Sequence, residues 1–382
     1  MDEKKIKIVY FGTYSKGEEY ARNLALINGL RKVGAEVNEC HIELWPEHKD
    51  KMVAVKKGIV RNGIELLKAY IKLLIRYFKI DEFDFMFVGY IGQIDVFLAG
   101  FLKLFHKKPI IFDAFYSLYD TMVKDRGLYS VNSIMAKILK LIDRWSAKCA
   151  DLVLLDTKEH IRYFCEEFGL MEEKFLAVPL GVDEGNFYPR EKEEDNPVFE
   201  VLNYSSYIPL HGLEVILQSA ELLKGHKDIH WTLIGKGQLY PEIRRMAEEM
   251  ALENVSFIDW VPHKELVERA RQADVLLGIF GKTEKASRVI PYKAYEALAL
   301  AMPLITGDSP AVRELMEDGK HCLLSKMGDA KALAEKVIVL KENPEIRKSI
   351  ANNGHKLFLE RCTWEAIGRT ILNKLEEMVV KN

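Results

Sequence analysis

Apolar runs of four to six residues recur along the chain. Most close at a Gly or Asp turn and are followed by apolar positions at helical spacing. Runs of that length suit buried parallel strands and are too short for helices. Ile6–Phe11 ends at Gly12-Thr13, and a helix over 18–33 follows with Ala21, Leu24, Ala25, Ile27 and Leu30 on one side. Glu36–Cys40, Phe85–Gly89, Ile110–Asp113, Leu152–Asp156 and Phe175–Val178 repeat the strand signal, with helical patterns at 133–150 and 158–168. This alternation predicts a doubly wound parallel-sheet domain over residues 1–180. Gly181–Pro197 is polar and aperiodic, with two prolines, and reads as a linker. Strands at Val198–Asn203, Ile229–Ile234, Asn254–Ile258 and Val275–Phe280 alternate with helices and predict a second domain of the same kind over 198–362. Trp364–Met378 is one further helix. It is expected to pack back on the first domain, so that 363–382 belong with it. The expected architecture is α/β, two Rossmann-like parallel-sheet domains facing a cleft.

Composition narrows the partners. The 382 residues carry a net charge of −2, which argues against nucleic acid. Residues 1–150 are nevertheless basic, with 25 Lys and Arg against 18 Asp and Glu. Five scattered cysteines fit reduced thiols, and the N-terminal MDEKKIKIVYFG has no signal-peptide layout. A cytoplasmic protein is expected. No Cys/His cluster, His-Glu-x-x-His or Asp-x-Asp appears, so neither metal nor cofactor is expected.

Val55–Ile80 carries seven Lys and Arg, Lys68, Lys72 and Arg76 among them, against Glu65 alone. Ile64, Leu67, Ile71, Leu74, Ile75 and Phe78 recur at helical spacing. A basic amphipathic helix of this kind suits the inner, anionic face of a membrane; it equally suits a packed helix with a basic outer side.

The most informative stretch is Ala273–Gly319. Its strand runs into a loop with Lys282, Glu284, Lys285 and Arg288, then a helix opened by Pro291 and carrying Lys293 and Glu296. In open α/β sheets ligands bind beyond the carboxyl ends of strands, and cations there with a helix N-terminus suit a phosphorylated ligand. Asp113, at the end of its strand, could serve as a base, hold a sugar hydroxyl or cap the next turn. Gly12 and the Gly235-Lys236-Gly237 turn permit close approach of a ligand or simply a tight turn.

Together YIPLHGLEVILQSAELL, TLIGKGQ, NVSFIDWVPHKELVERARQADVLLGIFG and VIPYKAYEALALAMPLITGDSPAVRELMEDGKHCLL resemble retaining glycosyltransferases of the GT-B fold, family 4 (glycosyl transferases group 1). The resemblance covers Tyr204–Leu324 best and, more weakly, nearly the whole chain. It implies transfer of a sugar from a nucleoside-diphosphate donor to a lipid-linked or surface-polysaccharide precursor, with retention and without metal. The second domain would hold the donor and the first the acceptor. Glu296 matches the second Glu of the family's E-x7-E, expected on the donor ribose. Gly235 and Gly237 match the turn near the nucleotide, and Gly12 with Thr13 the loop approaching the phosphates. Asp113 stands at the strand end where many members place a catalytic His. The first Glu of the motif falls at Arg288; a loop four residues longer puts Glu284 there instead. The family's diphosphate-gripping Arg and Lys fall at Ser205 and His211, leaving Lys285, Arg288 and Lys293 to supply that charge. Two rivals share the resemblance: an inactive relative that binds a nucleotide sugar or a partner enzyme, and a sugar-nucleotide epimerase.

Overall fold

The computed structural model describes residues 5–16, 21–44, 59–190 and 197–380. Parts of the expected first helix, of the basic stretch (Val55–Gly58) and of the linker lie outside the described residues.

The first sheet is built from β1 (Lys7–Gly12), β2 (Glu36–His41), β3 (Phe85–Val88), β4 (Ile110–Phe115), β5 (Leu152–Leu155) and β6 (Phe175–Ala177). All pairs are parallel, in the order β2-β1-β3-β4-β5-β6. Successive strand residues point to opposite faces. Val9, Phe11, Met86, Val88 and Phe112 face one core; Ile8, Tyr10, Phe85, Phe87 and Ile111 face the other. The first core is covered by α2 (Ile59–Tyr77), α3 (Asp95–His106), α4 (Ile134–Cys149) and α5 (Lys158–Phe168). The second is covered by α1 (Ala21–Lys32) and by the chain's last helix.

The second sheet holds β7 (Phe199–Tyr204), β8 (Ile229–Ile234), β9 (Val255–Ile258), β10 (Val275–Leu277), β11 (Leu304–Asp308) and β12 (Leu323–Lys326). It is also fully parallel, in the order β12-β11-β10-β7-β8-β9, so the winding reverses between β7 and β10. One face carries α6 (Leu213–Leu222), α7 (Tyr240–Glu249) and α11 (Ala330–Glu342). The other carries α8 (His263–Gln272), α9 (Tyr292–Ala299), the short α10 (Pro310–Arg313) and α12 (Pro344–Arg361). The apolar run expected as one strand to Phe280 forms a ladder only to Leu277. Gly278 then passes so close to Thr306 that a Cβ would sit 2.1 Å from its Oγ1.

The final helix, α13 (Trp364–Val380), returns to the first unit. Ile367, Ile371 and Leu375 complete the core beneath α1. Gly29 and Gly368 make the crossing possible, since a Cβ on Gly368 would lie 2.1 Å from the Gly29 carbonyl oxygen.

Candidate active site

The reversal of winding between β7 and β10 places three loops at one crevice. The loop after β7 (205–212) locks onto the Gly235-Lys236-Gly237 turn after β8. Tyr207 N–H donates to the Lys236 carbonyl (3.1 Å), and Leu239 N–H to that of Tyr207 (2.8 Å). Gly235 has φ +129°, and a Cβ there would sit 2.0 Å from the Ser205 carbonyl oxygen. The two glycines therefore fasten these loops together, whatever they offer a ligand. Leu210 and His211 in turn accept from Gly281 and Phe280 beyond β10.

Beneath this junction lie Lys293 and Glu296, both buried on α9. Lys293 Nζ donates to Asn203 Oδ1 (2.6 Å), and Tyr204 OH donates to Glu296 Oε2 (2.7 Å). Burial lowers the Lys293 ammonium to about 7 against the pull of Glu296. It raises the Glu296 carboxyl to about 7 against the Tyr204 hydrogen bond and Lys293. His211, bonded through Nδ1 to the Ser206 carbonyl, falls to about 3 through burial and the nearby cations, and is neutral.

Thr283 caps a 3₁₀ turn over Glu284–Ser287. That turn decides which side chains face inward. Glu284 is 74% exposed and projects outward, whereas Lys285 and Arg288 cross to the first unit. Their partners lie on a π-helical turn, Asp120–Asp125, which the sequence reading passed over. Arg288 donates to Asp120 Oδ1 (2.6 Å), Lys285 to Thr121 Oγ1 (2.5 Å), and Thr283 to Asp125 Oδ1 (2.9 Å). Aromatic faces steady both cations, with Lys285 5.0 Å from the Tyr116 centroid and Arg288 4.3 Å from that of Tyr163. Burial lowers the Lys285 ammonium and raises the Asp125 carboxyl, each opposed by the other. Asp120 Oδ2, Asp125 Oδ2 and the Nε atoms of Arg126 and Arg288 are buried without a hydrogen-bonding partner. Nearby, Glu314 accepts from the Lys158 and Glu159 N–H groups (2.7 and 2.8 Å) and caps α5 from the opposite unit.

In the first unit, the loop at Gly12-Thr13 already holds an anion. Asp95 accepts from Thr13 N (2.5 Å) and Thr13 Oγ1 (3.0 Å) and from Tyr70 OH (2.9 Å). A Cβ on Gly12 would lie 2.6 Å from that carboxylate. Asp113 is fully buried in a salt bridge with Arg22 (3.0 Å). Arg22 also donates to the Val178 and Pro179 carbonyls (both 2.9 Å), tying α1 and β4 to the segment that follows β6. Burial raises the Asp113 carboxyl against the opposing pull of Arg22. Asp113 is thus not brought together with the Lys285–Arg288 cluster. Asp156 and His160 form a second buried pair (2.8 Å) that sequence reading missed, though their i, i+4 spacing at a strand end was visible.

Lys68, Lys72 and Arg76 are exposed on α2 and are not brought together with the Lys285–Arg288 cluster by any contact among the described residues. Lys68 pairs with Glu65 (2.9 Å), and Arg76 donates to the His41 carbonyl.

Two facing doubly wound parallel sheets, with ligand-binding loops at the carboxyl ends of the strands, define the GT-B arrangement. Residues 186–357, the second unit, match the family model described as glycosyl transferases group 1. An uncharacterized glycosyltransferase of Methanocaldococcus jannaschii is 24% identical over 173 residues, 45% of this chain and 46% of the relative. The chain spans about half the length of the curated relatives it first matches. Among solved structures, a sucrose-phosphate synthase from Thermosynechococcus elongatus superposes with a TM-score of 0.73 at 15% identity, covering 100% of both chains. Anabaena HepE, in complex with UDP-glucose, superposes with a TM-score of 0.67 at 15% identity, covering 98% of this chain and 99% of that one. Among the described residues no helix is long and apolar enough to cross a membrane, and no group of three or more His, Cys, Asp or Glu could hold a metal ion.

Proposed function

We propose that the protein is a retaining glycosyltransferase of family 4 that moves a sugar from a nucleoside-diphosphate donor to a lipid-linked or polysaccharide-precursor acceptor. One observation carries the reading. Lys285 and Lys293 are buried and Arg288 is nearly so at the strand carboxyl ends of the matched domain, beside the Nε atoms of Arg126 and Arg288, which have no hydrogen-bonding partner. Each buried group left without a partner costs about 1–3 kcal/mol, so a ligand that supplies the bonds binds with corresponding gain.

In this reading Glu296 holds the donor ribose, and Gly235 and Gly237 set the two loops that face the nucleotide. Lys285, Arg288 and Lys293 meet the diphosphate, and His211, whose Nδ1–H is spent on the Ser206 carbonyl, lines the same wall without charge. Fixed cations stabilise charge as it develops on the leaving diphosphate, and this is commonly the largest catalytic contribution. They do here what a divalent cation does elsewhere, so no metal is invoked. Arg288, rather than the outward-facing Glu284, takes the inward position at the donor sugar. Asp120 holds Arg288 and Thr121 holds Lys285 in place, and the diphosphate adds its bonds to these contacts, at the Arg288 Nε left without a partner among others.

Thermal shift against UDP-, GDP- and ADP-sugars tests donor binding, because a ligand stabilises by RT ln(1 + [L]/Kd). The use of UDP-glucose with HepE makes UDP-sugars the first choice. Stabilisation by one nucleotide class, lost on substituting both Lys285 and Lys293 by Ala, is expected. No stabilisation by any nucleotide sugar would sink the reading.

A further inference from the structure

Three helices on one face of the first sheet each carry two apolar stripes. One stripe is spent on the core: Leu73 and Tyr77 on α2, Ala99 and Leu102 on α3, Leu139 and Ala147 on α4. The other faces outward. On α2 it comprises Ile64, Leu67, Ile71 and Ile75, with Phe78 just beyond the helix and 73% exposed. On α3 it comprises Phe97, Phe101, Leu104 and Phe105, with Leu104 at 72%. On α4 it comprises Ile134 at 78%, Ile138, Leu141 and Trp145. The helices are neighbours. Tyr77 of α2 packs on His106 of α3, and Gly100 of α3 lies against Cys149 of α4. A monomer rarely exposes contiguous apolar surface beyond a few hundred Å².

Charge identifies the occupant. Exposed cations border every stripe: Lys68 and Lys72 on α2, Lys107 just past α3, Lys137, Arg144 and Lys148 on α4. The acids on α3 and α4 turn inward, with Asp95 in the Thr13 loop and Asp143 accepting from Ser117 and from backbone N–H groups. A second copy of the chain would bring the same cations to the contact and be repelled. An anionic bilayer complements both features at once, taking aromatic and aliphatic tips into its interface and cations at its headgroups.

We propose that α2, α3 and α4 together form one membrane-docking face for an anionic phospholipid bilayer. Tyr70 of α2 reaches Asp95, which fills the Gly12-Thr13 loop at the carboxyl ends of the strands, so the N-terminal half of α2 lies on the crevice side of the sheet. Docking this face sets the crevice mouth against the lipid plane, where a lipid-linked acceptor enters without leaving the bilayer. That orientation rests on the glycosyl-transfer reading; the docking itself does not.

The test is co-sedimentation of the full chain with vesicles of phosphatidylcholine, with and without about one-third phosphatidylglycerol. Binding that requires phosphatidylglycerol is expected, together with quenching of Trp145 by brominated acyl chains. One variant combines Lys72→Glu, Lys107→Glu and Lys148→Glu, one cation from each helix. It should lose partitioning on the order of a hundredfold. A second, Leu104→Ser with Trp145→Ser, should lose about tenfold or more while still being thermally stabilised by the donor like the parent. Binding that is absent, or indifferent to both variants, overturns the proposal. So does a dimer in light scattering that the second variant dissociates. Vesicle binding without any donor stabilisation would instead leave the docking face standing and remove the glycosyl-transfer reading.

Discussion

Arg288 of the second unit and Asp120 of the first are joined by a 2.6 Å charge-assisted hydrogen bond across the crevice, both nearly out of reach of solvent. Removing one partner of a buried pair strands the other. Arg288→Ala is expected to cost about 3–5 kcal/mol, read as a fall in Tm. Arg288→Glu sets two carboxylates against each other, and an increased radius of gyration in small-angle scattering is the expected result. Combining Arg288→Glu with Asp120→Arg should restore compactness without restoring sugar transfer. Unchanged scattering in the single charge reversal would show that this pair does not hold the units together.

Lys285 and Lys293 lie on the same crevice but have different neighbours, Thr121 and Asn203. Each single substitution by Met keeps the stem and removes the charge. A loss of about 10²–10³ in kcat is expected for each once an acceptor is found. A change confined to KM would place the lysine in ground-state binding alone.

The Lys293–Glu296 pair predicts a pH dependence in two limbs. Glu296 is raised toward about 7, so it favours the folded protein below its unfolded value and loses that contribution as pH rises through 7. Lys293 is lowered toward about 7, so its contribution is present above its unfolded value and is lost as pH falls through 7. Stability from the pair is therefore least near neutrality in the unliganded protein. Tm between pH 5 and 10 should lose its acid limb in Glu296→Gln and its basic limb in Lys293→Met. A diphosphate beside Lys293 restores the ammonium, so donor binding above pH 7 should take up protons. Calorimetry in buffers of different ionisation enthalpy measures this, and zero uptake would remove Lys293 from the diphosphate site.

Asp113 is the counter-ion of Arg22, and the expected effect of Asp113→Ala is on folding. A loss of about 3–5 kcal/mol is expected by chemical denaturation, because a buried guanidinium is left without its carboxylate. A variant of parental stability that has lost only turnover would assign Asp113 to the reaction instead.

Gly235→Ala should destabilise by about 1–3 kcal/mol through its positive φ, and it drives the new methyl into the Ser205 carbonyl. Both loops that it fastens shift together, so on the proposed reading donor affinity should fall as well, measured by the same thermal shift.

The alternation of apolar runs and helical periods gave away both sheets, because a buried parallel strand and an amphipathic helix leave distinct periods. The site was legible only in part. Glu296 and Lys293 stood out beside a strand end. The choice between Glu284 and Arg288 did not, since it turns on one 3₁₀ turn capped by Thr283. Asp120 and Asp125 were hidden by their spacing. Five residues apart, they share no face of an α-helix, but the π-helical turn brings both to the crevice. Asp95 was missed because a carboxylate that fills a glycine loop has no sequence mark. The outward stripes of α3 and α4 were missed for another reason. The helical spacing of Phe97, Phe101 and Phe105 does not say which side of the helix is covered, and it is Ala99 and Leu102 that occupy the core side.

The return of α13 to α1 has a consequence for how the protein is made. The sheet face beneath α1 is complete only when Ile367, Ile371 and Leu375 arrive, and the whole second unit is translated before them. At about 5–20 residues per second, that face waits on the order of 10–40 s on the ribosome with its apolar surface open. The first unit begins synthesis first yet finishes folding last. Nascent-chain stalling before residue 364 should therefore yield a protease-sensitive first unit beside a resistant second one.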